Sequence, residues 1–324
     1  ARWHDAVAIL ALGGYGRREL CPFSDIDVLF LYDDSALSAD DFSELQARIT
    51  ERVLYPLWDL KLKVGHASRT IAETREAALA DPVTLNALRE ARHITGAPPL
   101  FQKLLSASSE AVRQARPEEL ARFLLAEQAS RHEKFGGSIF VQEPEIKNGV
   151  GGLRDYHTLC WVAHLLFHAD GPAGLVAQNF LTVAEGKSLE NAYSFLLRIR
   201  NELHFQSARA TDLLDLEKQI AVAAALRYPG TDWVRQVEAL MRDYFRAAGT
   251  IQQAARAVEW RFTQTLSTPD QPPAPASAPT LFDGFSMAGG FLSAASPGVF
   301  EHDPVRLLRV FRNAQQYRVT PDFP

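Results

Sequence analysis

Apolar positions change their spacing along the chain, and the change separates a short first region from a longer second one. Residues 7–12 and 26–32 are apolar runs typical of buried strands, and residues 60–67 alternate between apolar and polar positions. Residues 38–58 open on a Ser cap with early acids and then repeat apolar side chains at helical spacing. The first region therefore predicts a strand, turn, short helix, strand, helix and strand, which together form a small mixed α/β unit.

From about residue 70 onward the apolar period is helical. Helices are predicted over 70–80, 82–95, 98–115, 117–134, 155–169, 182–208, 214–227 and 231–266. One interval, residues 135–155, interrupts them and contains five glycines and a proline. We expect a functional loop there, since a surface loop has no evident structural need for so many glycines.

The last part of the chain has a different composition. Residues 267–280 are rich in Pro, Ala and Ser and are predicted to form a flexible or extended linker. Residues 281–324 contain one predicted helix, 303–316, and are too few for an independent domain with a good core.

The bulk composition fits a soluble globular protein and narrows the classes of partner. Hydrophobic residues make up 47% and charged residues 23%, and a net charge of -5 argues against a general nucleic-acid binder. Two cysteines, Cys21 and Cys160, are too few for a disulfide framework and fit a reducing cytosol. No apolar run is long enough to span a membrane. We expect a cytoplasmic location, with no nucleic acid and no membrane as partner.

Two carboxylates stand together at the start of the second predicted strand. Residues two apart on a strand point to the same side, so Asp25 and Asp27 project from one face and Ile26 from the other. Such a pair suits a hard divalent cation such as Mg²⁺, with water and substrate phosphates as the remaining ligands. A strand-end acid beside a capping acid, without a metal, would give the same pattern.

A glycine pair, Gly13 and Gly14, ends the first predicted strand. Glycines let the backbone approach a phosphate closely, and a short helix that follows would point its N–H groups at it. The stretch GGYGRRE is neither a Walker A loop nor a complete dinucleotide fingerprint. Together with the carboxylate pair, however, it indicates a site for nucleotide phosphates and a metal.

A glycine pair followed by Asp-apolar-Asp resembles the polymerase-β-type nucleotidyltransferase superfamily. Longer stretches resemble the bacterial protein-PII uridylyltransferases, in the same order along nearly the whole chain: GGYGRREL-CPFSDIDVLFL, LWDLKLKVGHASRT, EPEIKNGVGGLRDYHTLCWVA, LLRIRNELHF and MRDYFRAAGTI. The resemblance implies an α+β fold, in which a polymerase-β-like catalytic domain with a small mixed sheet (1–75) precedes a mainly α-helical domain (76–266) that contains the glycine-rich loop. Residues 281–324 would lead toward a phosphohydrolase domain that this sequence does not contain, so uridylyl removal is not expected.

The resemblance also implies roles for individual residues. Asp25, Asp27 and Asp59 would be catalytic and would bind the metal, with Asp59 as the third carboxylate on the strand after the long helix. Lys63 stands where a glutamate would be an alternative third acid, and Asp59 could instead be a surface acid at a helix end. The implied nucleotide-binding residues are Gly13, Gly14, Arg17, Ser24, Lys147 and Arg154.

Three further residues have open roles. Arg198 and Arg200 lie on the predicted helix 182–208 and are either solvated or part of the site. Asp155 is predicted to cap a helix that begins at Tyr156.

The implied reaction is the transfer of UMP from UTP to a tyrosine hydroxyl of the nitrogen-regulatory protein PII, with release of pyrophosphate. Mg²⁺ would be the cofactor, and Mn²⁺ an alternative. Two other readings remain open at this point: a regulatory module that binds nucleotide without transferring it, and a nucleotidyltransferase with a different acceptor.

Overall fold

The computed structural model describes residues 3, 5–266, 280–288, 291–296, 298–317 and 319–322. These residues belong to two compact units, Ala1–Thr263 and Gln264–Pro324. In chain order the elements up to residue 266 are β1 (Val7–Ala11), α1 (Gly13–Gly16), β2 (Ile26–Tyr32), α2 (Ala39–Ile49), a π-helical turn (Thr50–Leu54), α3 (Tyr55–Asp59), β3 (Val64–Thr70), α4 (Ile71–Ala80), α5 (Pro82–Arg89), β4 (Arg92–Gly96), α6 (Pro98–Gln114), α7 (Pro117–Lys134), α8 (Leu153–Phe167), α9 (Gly171–Ala177), α10 (Val183–Ser207), α11 (Leu216–Ala225) and α12 (Trp233–Leu266).

The first unit contains a four-stranded mixed sheet in the order β3-β2-β1-β4. β1 and β2 are antiparallel and bring Ala11 opposite Val28, so the end of β1 lies beside the start of β2. β2 and β3 are parallel, and this pairing places Gly65 next to Asp27. The glycine turn and the carboxylate strand are therefore neighbours at one edge of the sheet.

Side-chain caps begin several helices where the sequence predicts them. Ser38 accepts a hydrogen bond from the backbone of Asp41 at the start of α2. Thr182 and Glu185 form a reciprocal capping box at the start of α10. Because each cap satisfies backbone N–H groups that would otherwise lack an acceptor, these helix starts are well determined locally.

The predicted α+β fold, a small mixed sheet with a helical region, is confirmed, and the order of elements up to β3 is as predicted. The prediction of a helix over 82–95 is wrong in its second half, because α5 ends at Arg89 and residues 92–96 form β4. There β4 pairs with β1, and pairing with the sheet outweighs the local helical pattern. The sequence also missed the short helix α9.

One continuous hydrophobic core fills the first unit. It includes Leu10 and Leu29 of the sheet together with Leu104 of α6, Leu196 of α10 and Tyr244 of α12, all fully buried. Since the sheet and the helices share this core, the sheet edge is held in a fixed position against α8, α10 and α12.

The second unit has its own small sheet and core. Its elements are β5 (Thr280–Phe282), β6 (Phe285–Ala288), β7 (Phe291–Ala294), α13 (Val299–His302), α14 (Arg306–Tyr317) and β8 (Thr320–Asp322). Phe285, Leu292 and Val310 are among its buried side chains. The predicted helix 303–316 corresponds to α14, but the strands were not predicted. The predicted linker, 267–280, lies outside the described residues except for Thr280. In the part of the chain that the structure describes, no helix combines the length and apolar character needed to cross a membrane.

Candidate active site

A cavity of about 260 Å³ lies at the sheet edge where β1 ends and β2 begins. Its walls come from the glycine turn, the start of β2, the loop before α8, and helices α8 and α10. It brings together every sequence-predicted site residue except one: Gly13, Gly14, Arg17, Ser24, Asp25, Asp27, Lys147 and Arg154. Other lining residues, which the sequence did not single out, include Glu19, His157, Tyr193 and Asp212.

Glycines on two sides make room for the carboxylate of Asp27. The N–H of Leu12 donates to the Asp27 carbonyl oxygen at 2.9 Å and fixes the turn against the strand. Gly13 has a left-handed φ of +51°, and a Cβ there would lie 3.2 Å from Asp27 Oδ2. A Cβ on Gly65 would lie only 2.5 Å from Asp27 Oδ1. Sequence analysis missed Gly65, although a glycine inside a strand pattern is a known sign of close approach.

The carboxylate pair has the electrostatics of a cation site. Burial raises the pKa of Asp27 above its usual value and the charge of Asp25 raises it further, while Lys147 acts in the opposite direction. The Ser24 hydroxyl beside the pair is buried and has no hydrogen-bond partner among the residues that the structure describes. Asp25 and Asp27 could therefore hold a hard divalent cation, with a ligand phosphate and water completing its shell. Among the described residues no group of three His, Cys, Asp or Glu side chains could hold a metal.

Asp59 is not part of this arrangement. The prediction that it lies on the strand after the long helix is wrong, because it is the last residue of α3 and β3 begins only at Val64. Its side chain is exposed and does not line the cavity. Lys63 is the residue that adjoins the carboxylate strand, and its carbonyl accepts the Ile26 N–H at 2.8 Å.

Two arginines of the cavity are held by carboxylates. The Arg17 guanidinium contacts Glu19 at 2.9 Å and Glu90 at 2.5 Å. Burial alone would lower the pKa of Arg17, but these acids outweigh burial and raise it. Arg200 contacts Asp212 at 2.7 Å in the same way. Both are thus fixed in position and partly neutralised. Arg198, the other open candidate, lines a separate cavity of about 540 Å³ that contains no predicted site residue.

Lys147 and Arg154 are the cations available to a ligand. Neither side chain has a hydrogen-bond or ion-pair partner in the described part of the chain, and Arg154 lies 5.7 Å from the Trp161 ring centroid. Burial lowers the pKa of both, and neighbouring arginines act in the same direction. Nearby acids act on both cations from a distance, but half-buried cations without a direct ion-pair partner in the described part of the chain favour binding of an anion.

A buried network joins the glycine turn to the helices. The Tyr193 hydroxyl donates to Glu19 Oε2 at 2.5 Å, and His157 Nε2 lies 2.8 Å from the same hydroxyl. Burial, followed by the charges of Arg17, Arg154, Lys147 and Arg200, holds the pKa of His157 far below its usual value. His157 is therefore neutral. The four cations that lower its pKa all surround the first cavity.

The glycine-rich loop has a structural role as well as a place at the cavity. Gly151 has a φ of +70°, and a Cβ there would overlap the carbonyl oxygen of Ala248 on α12. The expectation that these glycines meet no structural need is therefore wrong. Asp155 does not cap a helix at Tyr156, because α8 already begins at Leu153. It accepts hydrogen bonds from the Gly151 N–H at 2.8 Å and from Arg131 at 2.9 Å.

A second cavity, of about 370 Å³, also borders Asp27. It shares Gly13, Arg17, Asp27 and Arg154 with the first cavity. Its other walls come from β2, β3, α5, α8 and residues next to them, and most of them are apolar: Leu12, Val28, Ala67, Val83, Ala87 and Trp161, with Gly65, His66 and Glu90. The Asp27 carboxylate thus lies where a charged cavity and a largely apolar cavity meet.

Comparisons with known proteins find one group of similar enzymes. Residues 121–258 match the family model described as GlnD PII-uridylyltransferase. The chain is 36% identical over 316 residues, 96% of its length, to the bifunctional uridylyltransferase/uridylyl-removing enzyme of Cereibacter sphaeroides. It is 36% identical over 97% of its length to that of Nitrosococcus oceani, and 34% identical over 95% to that of Pseudomonas entomophila.

The chain spans about a third of the length of these relatives, between 33% and 34% of each. Nearly the whole chain is therefore similar to about one third of the length of bifunctional uridylyltransferase/uridylyl-removing enzymes, and its residues 121–258 match the PII-uridylyltransferase family model.

Proposed function

We propose that this chain is a metal-dependent nucleotidyltransferase that transfers UMP from UTP to a tyrosine hydroxyl of the PII nitrogen-regulatory protein. The observation that carries the proposal is the first cavity, in which a carboxylate pair faces two unpaired cations beside a glycine turn. The names of the relatives support uridylyl transfer, and the description of the family model supports PII as acceptor.

The reaction forms a bond between the tyrosine oxygen and the α-phosphorus of UTP. The bond from this phosphorus to the β-phosphate oxygen breaks, pyrophosphate leaves, and the hydroxyl proton must be removed. A Mg²⁺ or Mn²⁺ ion held by Asp25 and Asp27 would supply positive charge to the phosphate oxygens.

The chain's own residues bind and orient the triphosphate. Lys147 and Arg154 would contact its outer phosphate oxygens, because these cations lack other partners in the described part of the chain. The turn at Gly13 and Gly14 lets the backbone approach the phosphates, and the unpaired Ser24 hydroxyl can donate to an oxygen there. Arg17 is already held by two acids, so we assign it an orienting role at the cavity wall.

The carboxylate pair also lies where the acceptor proton must go. Asp27 borders both cavities, so one of its oxygens can accept the proton of a hydroxyl that arrives from the second cavity. Asp59 has no role in this proposal, because it does not line either cavity.

The test is a transfer assay with purified PII, Mg²⁺ and each of the four labelled nucleoside triphosphates in turn. Incorporation of label from UTP into a tyrosine of PII is the expected result. If nucleotide binds in a direct titration but no label reaches PII from any triphosphate, the chain is a nucleotide-binding module and the proposal is wrong. Incorporation of label into PII from a different triphosphate would support nucleotidyl transfer but would change the base that we assign to the donor.

A further inference from the structure

Large apolar side chains are exposed on the segment between the π-helical turn and β3. Tyr55 is 53% exposed, Trp58 41%, Leu60 71% and Leu62 38%. We call these four residues the 55–62 surface. Large apolar groups grouped together on a protein surface mark a contact with a partner more often than isolated ones do.

The 55–62 surface is continuous with the second cavity. The ring centroids of Tyr55 and Trp58 are 5.8 Å apart, and those of Trp58 and His66 are 6.0 Å apart. His66 lines the second cavity, and its neighbour Gly65 is paired with Asp27 in the sheet. A row of three rings therefore leads from the exposed surface to a residue that lines the second cavity.

The second cavity has the chemistry of a site for an aromatic ring. Apart from the residues that it shares with the first cavity, its walls are mostly apolar, and Val83, Ala87 and Trp161 are examples. The first cavity, by contrast, is lined by several charged groups. A triphosphate fits the charged cavity and a phenol ring fits the apolar one, with the phenol oxygen directed toward Asp27.

The surface outside the cavity indicates that the ring belongs to a protein. A small acceptor would fill the cavity and leave the 55–62 surface in water, which is unfavourable for so many apolar groups. Lys61 and Lys63 lie within and beside this surface, both are exposed, and neither has an ion-pair partner in the residues that the structure describes. Their charge favours a partner with acidic side chains around the contact.

We propose that the 55–62 surface binds the acceptor protein and directs its tyrosine into the second cavity, with the hydroxyl at Asp27. The partner is a protein segment in which the tyrosine has apolar and acidic neighbours. This inference rests on the proposed function, since it assigns the acceptor side of the same site.

The experiment measures direct binding of PII to the full chain and the KM for PII in the transfer assay. Tyr55→Ala and Trp58→Ala are compared with Trp233→Ala, which removes a tryptophan that is 58% exposed on α12 and borders neither cavity. Melting curves for each variant check that the fold is retained. We expect Trp58→Ala to weaken PII binding by about tenfold or more, as for an aromatic residue at the centre of an interface. Nucleotide affinity should stay unchanged in all three variants, and Trp233→Ala should bind PII as the unchanged chain does.

A charge-reversed variant provides a second measurement. Lys61→Glu together with Lys63→Glu should weaken PII binding and reduce its dependence on salt concentration.

The outcomes separate the two proposals. If Tyr55→Ala and Trp58→Ala bind PII with unchanged affinity, or if the unchanged chain does not bind PII, the docking inference is wrong. If the unchanged chain binds PII through these residues but transfers no nucleotide, docking is supported and the proposed reaction is wrong.

Discussion

Asp27 carries an electrostatic cost in the protein without a bound cation. Its pKa is raised by burial and by Asp25, so its ionised form is less stable in the folded chain than in the unfolded one. An acid with a raised pKa destabilises the fold above that pKa, and the cost disappears as pH falls through it. A residue that lowers stability while it is available to a cation is typical of a functional site.

Two substitutions of the carboxylate pair test its role in transfer and the effect of Asp27 on stability. Asp25→Asn and Asp27→Asn should each reduce transfer at least about 100-fold, because the pair's charge stabilises the transition state by several kcal/mol. Without divalent cations, Asp27→Asn should also raise the melting temperature at pH 7, and the gain should shrink as pH falls. Asp59→Asn is the matched control and should transfer normally. Loss of transfer in Asp59→Asn, or normal transfer in both variants of the pair, would contradict the site.

Gly65 gives a steric test of the same carboxylate. A methyl group at this position would contact Asp27 Oδ1 at 2.5 Å, so Gly65→Ala should displace the carboxylate by a fraction of an ångström or more. Misplacement of a catalytic group by about 1 Å costs about 100-fold in rate, and we expect a loss of that order with the fold retained. Gly249→Ala on α12 is the control, since its Cβ would make an ordinary contact at 3.7 Å. Wild-type turnover in Gly65→Ala would show that Asp27 tolerates the displacement.

At the scale of elements, the loop before α8 connects structure and ligand. Lys147 lies in this loop, while Arg154 and the buried anchor Asp155 lie in the first turn of α8, and in the described part of the chain neither cation has an ion-pair partner. Burial would raise the pKa of Asp155, but hydrogen bonds and charge from His132 and Arg131 outweigh burial and lower it. A lowered acid pKa stabilises the fold above the ordinary value, and this contribution is lost as pH falls through the folded pKa.

Asp155→Asn should therefore destabilise the loop and the fold. Removal of one partner from a buried ion pair costs about 3 kcal/mol, because the buried Arg131 would keep only the partly exposed Glu127, 3.7 Å away, as a counter-charge. Urea unfolding at several pH values measures this, and the difference from the unchanged chain should diminish in acid. Asp170→Asn removes a carboxylate that is 82% exposed and pairs with His164, and it should cost less than about 1 kcal/mol. An equal loss in both variants would show that the burial of Asp155 does not matter.

The contribution of Arg154 to nucleotide binding has a separate test. Arg154→Ala should raise the KM for UTP by about tenfold or more, as expected for loss of a charge-assisted hydrogen bond. Arg122→Ala, an exposed arginine of α7 that lines neither cavity, is the control. An unchanged nucleotide titration combined with weaker PII binding would move Arg154 to the acceptor side.

The sequence predicted those parts of the site that depend on patterns among neighbouring residues. A period of two predicted that Asp25 and Asp27 point to the same side, and both line the first cavity although β2 begins only at Ile26; cap residues such as Ser38 predicted helix starts. Glu90 and Tyr193 could not be found in this way, because their partners are 73 and 174 residues away along the chain. The prediction that Asp59 lies on a strand was wrong for a related reason. A local pattern does not show at which residue a helix ends and the next strand begins.

At the scale of the whole molecule, contacts between residues that are far apart along the chain form the first cavity. The Phe23 N–H donates to His204 Nδ1 at 3.2 Å, Tyr193 donates to Glu19, and Arg200 donates to Cys21 Sγ at 3.4 Å, so three bonds join α10 to the segment after the glycine turn. The shared core fixes the same parts together over a larger area. The cavity therefore depends on correct packing of the sheet against the helices.

Tyr193→Phe tests this dependence. It removes one donor from Glu19, so it should lower stability by about 1 kcal/mol and raise the KM for UTP through a looser Arg17. Tyr228→Phe removes a hydroxyl that bonds Asp243 away from both cavities, and it should leave the KM unchanged. Equal values of KM in the two variants would show that the network does not position Arg17.

The position of Asp27 between two cavities has a kinetic consequence. If the donor occupies one cavity and the acceptor the other, both must be present together before the bond between them can form. Steady-state rates measured at several fixed concentrations of PII should then give double-reciprocal lines that intersect. Parallel lines would indicate instead that the nucleotidyl group is first transferred to the enzyme and only then to PII. Under the proposed function, one side chain shared by two cavities thus makes simultaneous binding of both substrates a requirement of the fold.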